Sequence, residues 1–265
     1  MGRQRLTYNR AMPSQELQAA LDAAQAAAEV IRRHYRQNLA VKIKADKSPV
    51  TAADVQAEEV IRTILAARFP DHGFYGEETG QDRMQADSVW LVDPIDGTKS
   101  FVRDCPFFST QIALLREGHF VLGVSSAPAY GELAWAERGC GAWLDGQPIR
   151  VSDTRTIDAC ILSGGNLKTL ARSNLWPQYG QLVSQVNRIR GYGDFVHYHL
   201  LARGALDAVV ESDVNILDIA ALTVLIEEAG GRFTDLTGAA VGLETTSVLA
   251  TNGLLHAPIL SALAE

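Results

Sequence analysis

The most restrictive feature of the sequence is a short apolar run that ends in two acidic residues. Residues 89–92 read Val-Trp-Leu-Val, and Asp93-Pro94-Ile95-Asp96 follows directly. An apolar run bounded by turn residues is typical of a buried strand, and we expect the strand to stop at Asp93-Pro94 because proline cannot donate to a sheet ladder. The two carboxylates, three residues apart, then point toward a common space.

Asp93 and Asp96 would repel each other strongly in that space. Like charges about 4 Å apart repel by roughly 4 kcal/mol at an effective dielectric constant near 20. A fold keeps such a pair ionised only if something positive neutralises it. Carboxylate oxygens select Mg²⁺, Mn²⁺ or Ca²⁺ over softer metals, and no set of His and Cys residues competes for zinc. The sequence therefore predicts a hard divalent cation at this turn.

Gly97-Thr98 comes next and favours an anion beside the cation. Glycine lets backbone N–H groups approach an anion closely, and the start of a helix offers N–H donors without helical partners. A phosphate ester suits both halves of the site. A divalent cation there would polarise the phosphoryl oxygens, lower the pKa of a bound water and stabilise the leaving alkoxide.

Three further acidic segments have both a functional and a plain structural interpretation. Thr51-Ala-Ala-Asp54 fits a helix capping box, Glu77-Glu78 could be a solvated turn, and Asp218 could be the N-cap of an Ala-rich helix. Asp-Pro-x-Asp-Gly itself is good turn chemistry. The structural alternatives weaken together, because all four elements occur in one chain.

The pattern of elements predicts a mixed α/β (α+β) layered fold. Periodic apolar residues indicate a helix capped by Ser14 and a second helix from about Thr51 to Phe69, where Pro70 ends it. A meander of strands follows over residues 108–116, 119–126, 132–137 and 142–144. Strands and helices then alternate, with helices over residues 195–202 and 218–229.

Composition excludes several other classes of protein. The 265 residues carry 24 Lys and Arg against 31 Asp and Glu, a formal charge of −7, which argues against a general nucleic-acid or anionic-membrane surface. No stretch approaches the roughly 20 apolar residues of a membrane span, and residues 1–10 lack the apolar core of a secretory signal. The three cysteines are scattered, as in a cytoplasmic protein with reduced thiols.

The motifs together resemble the inositol monophosphatase family of Mg²⁺-dependent phosphatases. The matching segments are Gly-Glu-Glu at 76–78, Trp-Leu-Val-Asp-Pro-Ile-Asp-Gly-Thr at 90–98, and Asp-Ile-Ala-Ala at 218–221 with Glu-Ala-Gly-Gly at 228–231. The resemblance implies the layered αβαβα sugar-phosphatase fold, as a homodimer. It covers residues 14–265 as a single domain, with residues 1–13 as a short N-terminal extension.

The resemblance also implies a set of metal ligands. A first Mg²⁺ would be held by Glu77, Asp93 and the backbone carbonyl of Ile95. A second would lie among Asp93, Asp96 and Asp218, and Glu77 would help to bind a weaker third. The cofactor is therefore expected to be two or three Mg²⁺ ions per active site.

For catalysis, the resemblance implies a water nucleophile and no covalent phospho-enzyme. Thr98, hydrogen-bonded to Asp54, would orient the water that attacks phosphorus in line. Gly97 and Thr98 would also donate hydrogen bonds to the phosphate. The partner is then a small-molecule phosphate ester, with no nucleic acid and no membrane.

Residues around these motifs resemble the bacterial histidinol-phosphatase branch, which serves histidine biosynthesis. Leu217 stands where family members often have Trp, and Asp194 and Glu211 fall where the family contacts the alcohol portion of its substrate. Histidinol phosphate carries an amine and an imidazole, so two carboxylates suit it. Asp194 could instead be a turn residue that caps the next helix, and His197 and His199 on that helix are expected to be packing or surface residues.

Three alternatives stay open on sequence alone. The same machinery could hydrolyse inositol 1-phosphate or a range of sugar phosphates. The Asp-Gly-Thr-Lys segment at 96–99 leans toward a 3′-phosphoadenosine 5′-phosphate phosphatase, although Ser100 stands where that branch more often has Glu. The third alternative is a protein that uses the fold only as a docking surface, which the complete set of acidic residues argues against.

Overall fold

A computed structural model describes residues 13–37, 41–43 and 49–264 of the chain. Apart from Pro13, the predicted N-terminal extension lies outside them. The helices are α1 (Gln15–His34), α2 (Ala52–Arg68), α3 (Thr98–Phe101), α4 (Leu167–Leu170), α5 (Trp176–Gln185), α6 (Asp194–Ala202), α7 (Ile216–Glu228) and α8 (His256–Ala264). The strands are β1 (Lys42–Ile43), β2 (Pro49–Val50), β3 (Gly73–Gly76), β4 (Gly80–Asp82), β5 (Ser88–Asp96), β6 (Ser109–Arg116), β7 (His119–Ala127), β8 (Glu132–Glu137), β9 (Gly141–Leu144), β10 (Gln147–Ile149), β11 (Ile161–Gly165), β12 (Arg188–Arg190), β13 (Ala208–Ser212), β14 (Arg232–Thr234) and β15 (Ser247–Thr251).

The first two helices begin and end where the sequence signals predict. Ser14 Oγ accepts from the Leu17 N–H at 3.0 Å, which satisfies one of the donors that the first turn of α1 leaves without a helical partner. Thr51 caps α2 in the same way, and α2 stops at Arg68, shortly before Pro70. Both helices pack on one face of the first sheet through a shared apolar cluster.

The first sheet has eight strands in the order β10-β9-β8-β7-β6-β5-β3-β4. Strand β5 is buried on both faces, which explains its unbroken apolar sequence. Trp90 and Val92 pack on the side of α1 and α2, whereas Val89 and Leu91 pack on the side of α7. The predicted meander is confirmed as β6 to β9, and the two-residue turn at Asp145-Gly146 joins β9 to β10.

Strand β5 continues through Pro94, so the prediction that it stops at Asp93-Pro94 is wrong. Its antiparallel pairing with β6 shifts register between Asp93 and Asp96, where two residues of β5 oppose Thr110 alone. Proline has no N–H to give to the ladder, and the bulge leaves none needed at that point. Thr110 Oγ1 donates instead to the Pro94 carbonyl at 2.8 Å. The bulge therefore lies inside the strand, and Asp93 and Asp96 both belong to the last four residues of β5.

Helix α7 begins at Ile216, two residues before the predicted start. Asn215 is the N-cap, since its side-chain oxygen accepts from the Leu217 N–H at 2.8 Å. Asp218 is the third residue of the helix, and its carboxylate accepts from the Asn215 N–H at 2.9 Å, which completes a capping box. Gly230 follows the helix in the left-handed region, as predicted for its C-terminal cap.

The remaining elements complete five layers. The second sheet has the order β12-β11-β13-β15-β14. One apolar cluster joins the first sheet to α6, α7 and the second sheet, and another joins the second sheet to α5 and α8. The order of layers is therefore helices, sheet, helices, sheet, helices, which confirms the predicted αβαβα fold. Within the described residues, no helix combines the length and the apolar character needed to cross a membrane.

Candidate metal centre

Three aspartates from two elements converge at the end of β5. Asp93 and Asp96 come from the bulged end of the strand, and Asp218 comes from the first turn of α7. One carboxylate oxygen of each lies within 4.8 Å of those of the other two. Asp93 is almost completely buried, with 2% of its surface exposed. The structure thus brings together three of the five predicted metal ligands as a compact oxygen cluster.

The electrostatics of this cluster fit a cation. Burial raises the pKa of Asp93 well above its ordinary value, and the nearby charges of Glu77, Asp96 and Asp218 raise it further. The pKa of Asp96 is raised in the same way, and burial raises that of Asp218 to about 7. The neighbouring acidic groups make Asp93 and Asp96 harder to ionise, and a divalent ion among the carboxylates would remove that repulsion. An all-oxygen donor set suits Mg²⁺.

The bulge also brings Ile95 to the wall of the cleft. Asp93 Oδ1 accepts from the Ile95 N–H at 2.9 Å, a bond that folds the chain back over the proline. The Ile95 carbonyl accepts from Thr98 Oγ1 at 3.0 Å, and Ile95 lines the cleft beside Asp93. The predicted backbone ligand therefore lies on the same wall as the acidic side chains.

Glu77 follows β3, the strand parallel to β5, and lines the cleft with the three aspartates. Its loop is held by Glu58, a residue that the sequence analysis missed. Glu58 is fully buried on α2, and its carboxylate accepts from the N–H groups of Glu78 at 2.8 Å and Thr79 at 2.7 Å. The only sequence signal was its position one helical turn after Asp54. Glu58 is thus a positioning residue for the Glu77 loop.

Asp54 and Thr98 meet, as the resemblance implied. Thr98 Oγ1 lies 3.2 Å from Asp54 Oδ1, while Asp54 Oδ2 accepts from the N–H and the hydroxyl of Thr51. The capping-box interpretation of Thr51 and Asp54 is therefore also correct. Burial raises the pKa of Asp54, although the two hydrogen bonds from Thr51 oppose that shift. One oxygen of Asp54 serves the helix and the other faces the site.

The cleft itself has a volume of about 230 Å³. Gly97 adopts φ = 87° at the start of α3, and an added Cβ would lie 2.6 Å from the Phe107 carbonyl oxygen, so only glycine fits the turn. Three lining residues were not predicted as site residues, and they come from α3 and from the turn after β11: Lys99, Ser100 and Asn166. Asn166 carried no sequence signal, because its position depends on the second sheet.

The two predicted substrate contacts have different surroundings. Asp194 lines the cleft, where burial and the charge of Glu211 raise its pKa to about 6. It adopts φ = 45° as the first residue of α6, after a Gly193 that is not helical. Glu211, at the end of β13, is 3% exposed and accepts from Tyr198 Oη at 2.6 Å. His197 and His199 are both buried, so the prediction of packing residues is confirmed and a surface position is excluded.

Comparison with known proteins agrees with this geometry. A family model described as "Inositol monophosphatase family" matches residues 12–265. The chain belongs to the inositol monophosphatase family. It is 42% identical over 258 residues to a histidinol-phosphatase of Mycobacterium tuberculosis, covering 95% of this chain and 99% of that one. A histidinol-phosphatase of Chlorobaculum parvum is 34% identical over 249 residues, covering 94% and 96%.

A solved structure also confirms the family fold. The extragenic suppressor protein suhB of Bartonella henselae superposes with a TM-score of 0.88 at 30% identity, covering 95% of this chain and 99% of that chain. Inositol monophosphatase family members are generally Mg²⁺-dependent. The family match and the histidinol-phosphatase relatives indicate that the chain is a phosphoric monoester hydrolase. The prediction of an enzyme is confirmed, which leaves the docking-only hypothesis without support.

Proposed function

We propose that this phosphatase hydrolyses histidinol phosphate to histidinol and phosphate, a reaction of histidine biosynthesis. The observation that carries this substrate is a pair of carboxylates beyond those needed for metal. Asp194 lies in the cleft, and the charge of Glu211 acts on both Asp194 and Asp96. Histidinol phosphate has an amine and an imidazole to place against these two acids, whereas inositol has no cation. The histidinol-phosphatase relatives support the same substrate.

The metal ligands are proposed as the resemblance implies. Glu77, Asp93 and the Ile95 carbonyl would hold one Mg²⁺, and Asp93, Asp96 and Asp218 a second. Glu77 would contribute to a weaker third site, which gives two or three ions per active site. When bound, Mg²⁺ supplies Lewis-acid polarisation of the phosphoryl group, an acidified water and stabilisation of the leaving oxygen.

The chain's own residues would orient the nucleophile. The Thr98 hydroxyl has one proton, and its distances of 3.0 Å to the Ile95 carbonyl and 3.2 Å to Asp54 Oδ1 allow it to donate to either. When it donates to Asp54, its lone pairs are free to accept a hydrogen bond from the attacking water. The proton released by the water can then pass through the Thr98 hydroxyl to Asp54. Because burial raises the pKa of Asp54, its carboxylate is a stronger base than the carboxylate of an exposed aspartate.

The phosphate and the alcohol would lie at opposite ends of the cleft. The backbone N–H groups of Gly97 and Thr98 at the start of α3 would donate to the phosphate oxygens. Asp194 and Glu211 would contact the alcohol portion. No side-chain nucleophile is proposed. The phosphoryl group would therefore pass directly from the ester oxygen to the water oxygen, with inversion of configuration at phosphorus.

A phosphate-release panel tests the substrate. With Mg²⁺ present, kcat/KM for histidinol phosphate should exceed that for inositol 1-phosphate and for 3′-phosphoadenosine 5′-phosphate by on the order of 100-fold, about 3 kcal/mol. Asp194→Asn should lower kcat/KM for histidinol phosphate and leave the slower inositol 1-phosphate reaction nearly unchanged. Faster turnover of inositol 1-phosphate by the unaltered protein would overturn the substrate and leave the phosphatase in place.

We propose that residues 14–265 form a single domain, that the protein is a homodimer, and that it works in the cytoplasm; the family resemblance and the composition support these statements. Light scattering coupled to size-exclusion chromatography tests the dimer. A mass near 57 kDa, twice the 28.7 kDa of the chain, is expected, and a mass near 28.7 kDa would contradict it.

A further inference from the structure

Two side chains of α6 lie within hydrogen-bond distance of the Glu211 carboxylate. His197 Nε2 lies 3.1 Å from Glu211 Oε2, and Tyr198 Oη donates to the same oxygen at 2.6 Å. All three side chains are buried. The two rings meet edge to face, with centroids 4.3 Å apart and planes at 85°. Two adjacent residues of one helix therefore converge on a single carboxylate oxygen.

The partner of Nε2 determines which ring nitrogen of His197 donates, because a carboxylate oxygen only accepts and Nε2 must then carry the proton. Ser163 Oγ accepts from the Tyr192 N–H at 3.2 Å, which leaves the one hydroxyl proton of Ser163 free to point to His197 Nδ1, 3.3 Å away. With Nδ1 as acceptor, the ring proton is on Nε2. That proton is then donated to Glu211.

Tyr198 is a donor at any physiological pH. Burial raises the pKa of Tyr198 well above its ordinary value, and the charge of Glu211 raises it further. Glu211 Oε2 thus receives two fixed donors. Oε1 takes part in neither of these two hydrogen bonds, and an added Cβ at Gly165 would lie 2.3 Å from it. The charge of Glu211 raises the pKa of Asp194 and of Asp96, which both line the cleft, so the carboxylate lies close to the cleft.

We propose that His197 is a positioning residue that makes this phosphatase selective for a cationic alcohol. By holding Oε2 with a donated proton, the imidazole keeps the Glu211 carboxylate from rotating and presents Oε1 to the ammonium or imidazole end of the substrate. This inference rests on the proposed function, because it explains how the second substrate carboxylate is oriented. His197 touches neither the metal ligands named above nor the phosphate end, so its effect is on binding of the alcohol portion.

Two substitutions of similar volume separate positioning from packing. His197→Gln keeps an N–H donor near the place of Nε2, whereas His197→Leu fills the space without one. We expect KM for histidinol phosphate to rise about tenfold in His197→Leu and about twofold in His197→Gln, as for loss of a hydrogen bond to a charged group. The kcat for histidinol phosphate and the KM for inositol 1-phosphate should stay within about twofold in both.

His199→Leu is the matched control. His199 lies on the same helix, is equally buried and is bonded to Glu132 at 2.9 Å and Ser125 at 2.9 Å, away from Glu211. Its loss should lower the melting temperature and leave the KM for both substrates unchanged. An equal rise in KM in His199→Leu and His197→Leu, or a rise of the same size for both substrates, would overturn the inference.

A second variant keeps the test decisive if His197→Leu does not fold. Tyr198→Phe removes only a hydroxyl and retains the ring, and it should raise KM for histidinol phosphate several-fold with kcat unchanged. An unchanged KM in Tyr198→Phe, without a foldable His197→Leu, would also count against the proposal. If the unaltered protein does not prefer histidinol phosphate, the proposed function fails instead; if it does and His197→Leu or Tyr198→Phe keeps the full preference, only this inference fails.

Discussion

Helices α2 and α7 begin with the same local device and use it differently. Each starts with a capping box whose third helical residue is an aspartate, Thr51 with Asp54 and Asn215 with Asp218. Asp54 gives one oxygen to its cap and turns the other to the Thr98 hydroxyl. Asp218 binds its cap with both oxygens, and one of its oxygens also lies within 4.8 Å of carboxylate oxygens of Asp93 and Asp96.

In the proposed mechanism, the aspartate that caps each helix is also a functional residue. The cap fixes the carboxylate by hydrogen bonds to the helix start, so its position costs no further side-chain ordering when a substrate or ion binds. What differs is the partner across the cleft. A hydroxyl facing Asp54 suits it to the proposed water-orienting pair, and carboxylates facing Asp218 suit it to the proposed metal site.

The largest effect is expected from removing one charge at each helix start. Asp54→Asn and Asp218→Asn should each lower kcat on the order of 10³-fold or more, because both groups act on the reacting atoms. Calorimetric titration with Mg²⁺ should separate them. Asp218→Asn should weaken Mg²⁺ binding on the order of 100-fold, and Asp54→Asn should leave it within about twofold. Equal weakening in both variants would erase the distinction between the two helices.

Metal-free stability should depend on pH through Asp218. Its folded pKa of about 7 lies above the ordinary value of 3.8, so the folded chain holds a proton that the unfolded chain has released. The contribution of Asp218 to stability is then fully present below pH 3.8 and is lost as the pH rises to 7. In EDTA, the melting temperature should drop by about 2 °C between pH 6.5 and 8. Asp218→Asn should flatten this slope, and Mg²⁺ should abolish it.

The measurement is restricted to pH 6.5–8 because the titration of His256 changes stability in the opposite direction at lower pH. Burial lowers its pKa from 6.5 to about 4, so its contribution to stability is lost as the pH falls below 6.5. A metal-free melting temperature that rises between pH 6.5 and 8 would contradict the assignment of Asp218 as one of several crowded carboxylates.

One turn further along, the two helices differ again. Glu58 follows Asp54 by four residues and holds the Glu77 loop, whereas Leu222 in the same place after Asp218 is a core residue. Glu58→Gln keeps the shape but loses one of two acceptors, which should lower the free energy of unfolding by about 1–3 kcal/mol and weaken Mg²⁺ binding about tenfold. Leu222→Met, a volume-conserving change, should leave Mg²⁺ binding unchanged. Unaltered Mg²⁺ binding in Glu58→Gln would refute its positioning role.

The smallest effect is expected from the caps themselves. Thr51→Ala and Asn215→Ala should each destabilise the fold by about 1 kcal/mol, measured by urea unfolding. Thr51→Ala should also lower kcat, because Asp54 loses a hydroxyl donor that holds it toward Thr98. Thr51→Ser, which keeps the hydroxyl, should restore both. A normal kcat in Thr51→Ala would show that the cap does not orient Asp54.

Local signals in the sequence predicted much of this arrangement. The caps at Ser14 and Thr51, Pro70 and the turns of the meander act over a few residues, so the helices and hairpins that they bound are confirmed. The continuation of β5 past Pro94 was missed because the bulge depends on Thr110 of the neighbouring strand. The earlier start of α7 was missed because Asn215, a good N-cap, was overlooked.

Contacts between distant elements explain what else escaped prediction. Glu58 holds the Glu77 loop, and His197 is hydrogen-bonded to the Glu211 carboxylate. Both partners lie outside the helix that carries the residue. The sequence next to Glu58 and His197 therefore does not distinguish them from ordinary core residues. The acidic site residues were recognised by the motifs that they share with a family. Their convergence required the layers to bring β3, β5 and α7 to one edge.

Diffraction from crystals soaked in Mn²⁺, recorded at the manganese absorption edge, tests the central claim most directly. The account predicts anomalous peaks in the cleft within coordination distance of carboxylate oxygens of Asp93, Asp96 and Asp218, with at least one peak also bound by Glu77. Peaks only on the outer surface, with these four side chains unligated at saturating Mn²⁺, would contradict it.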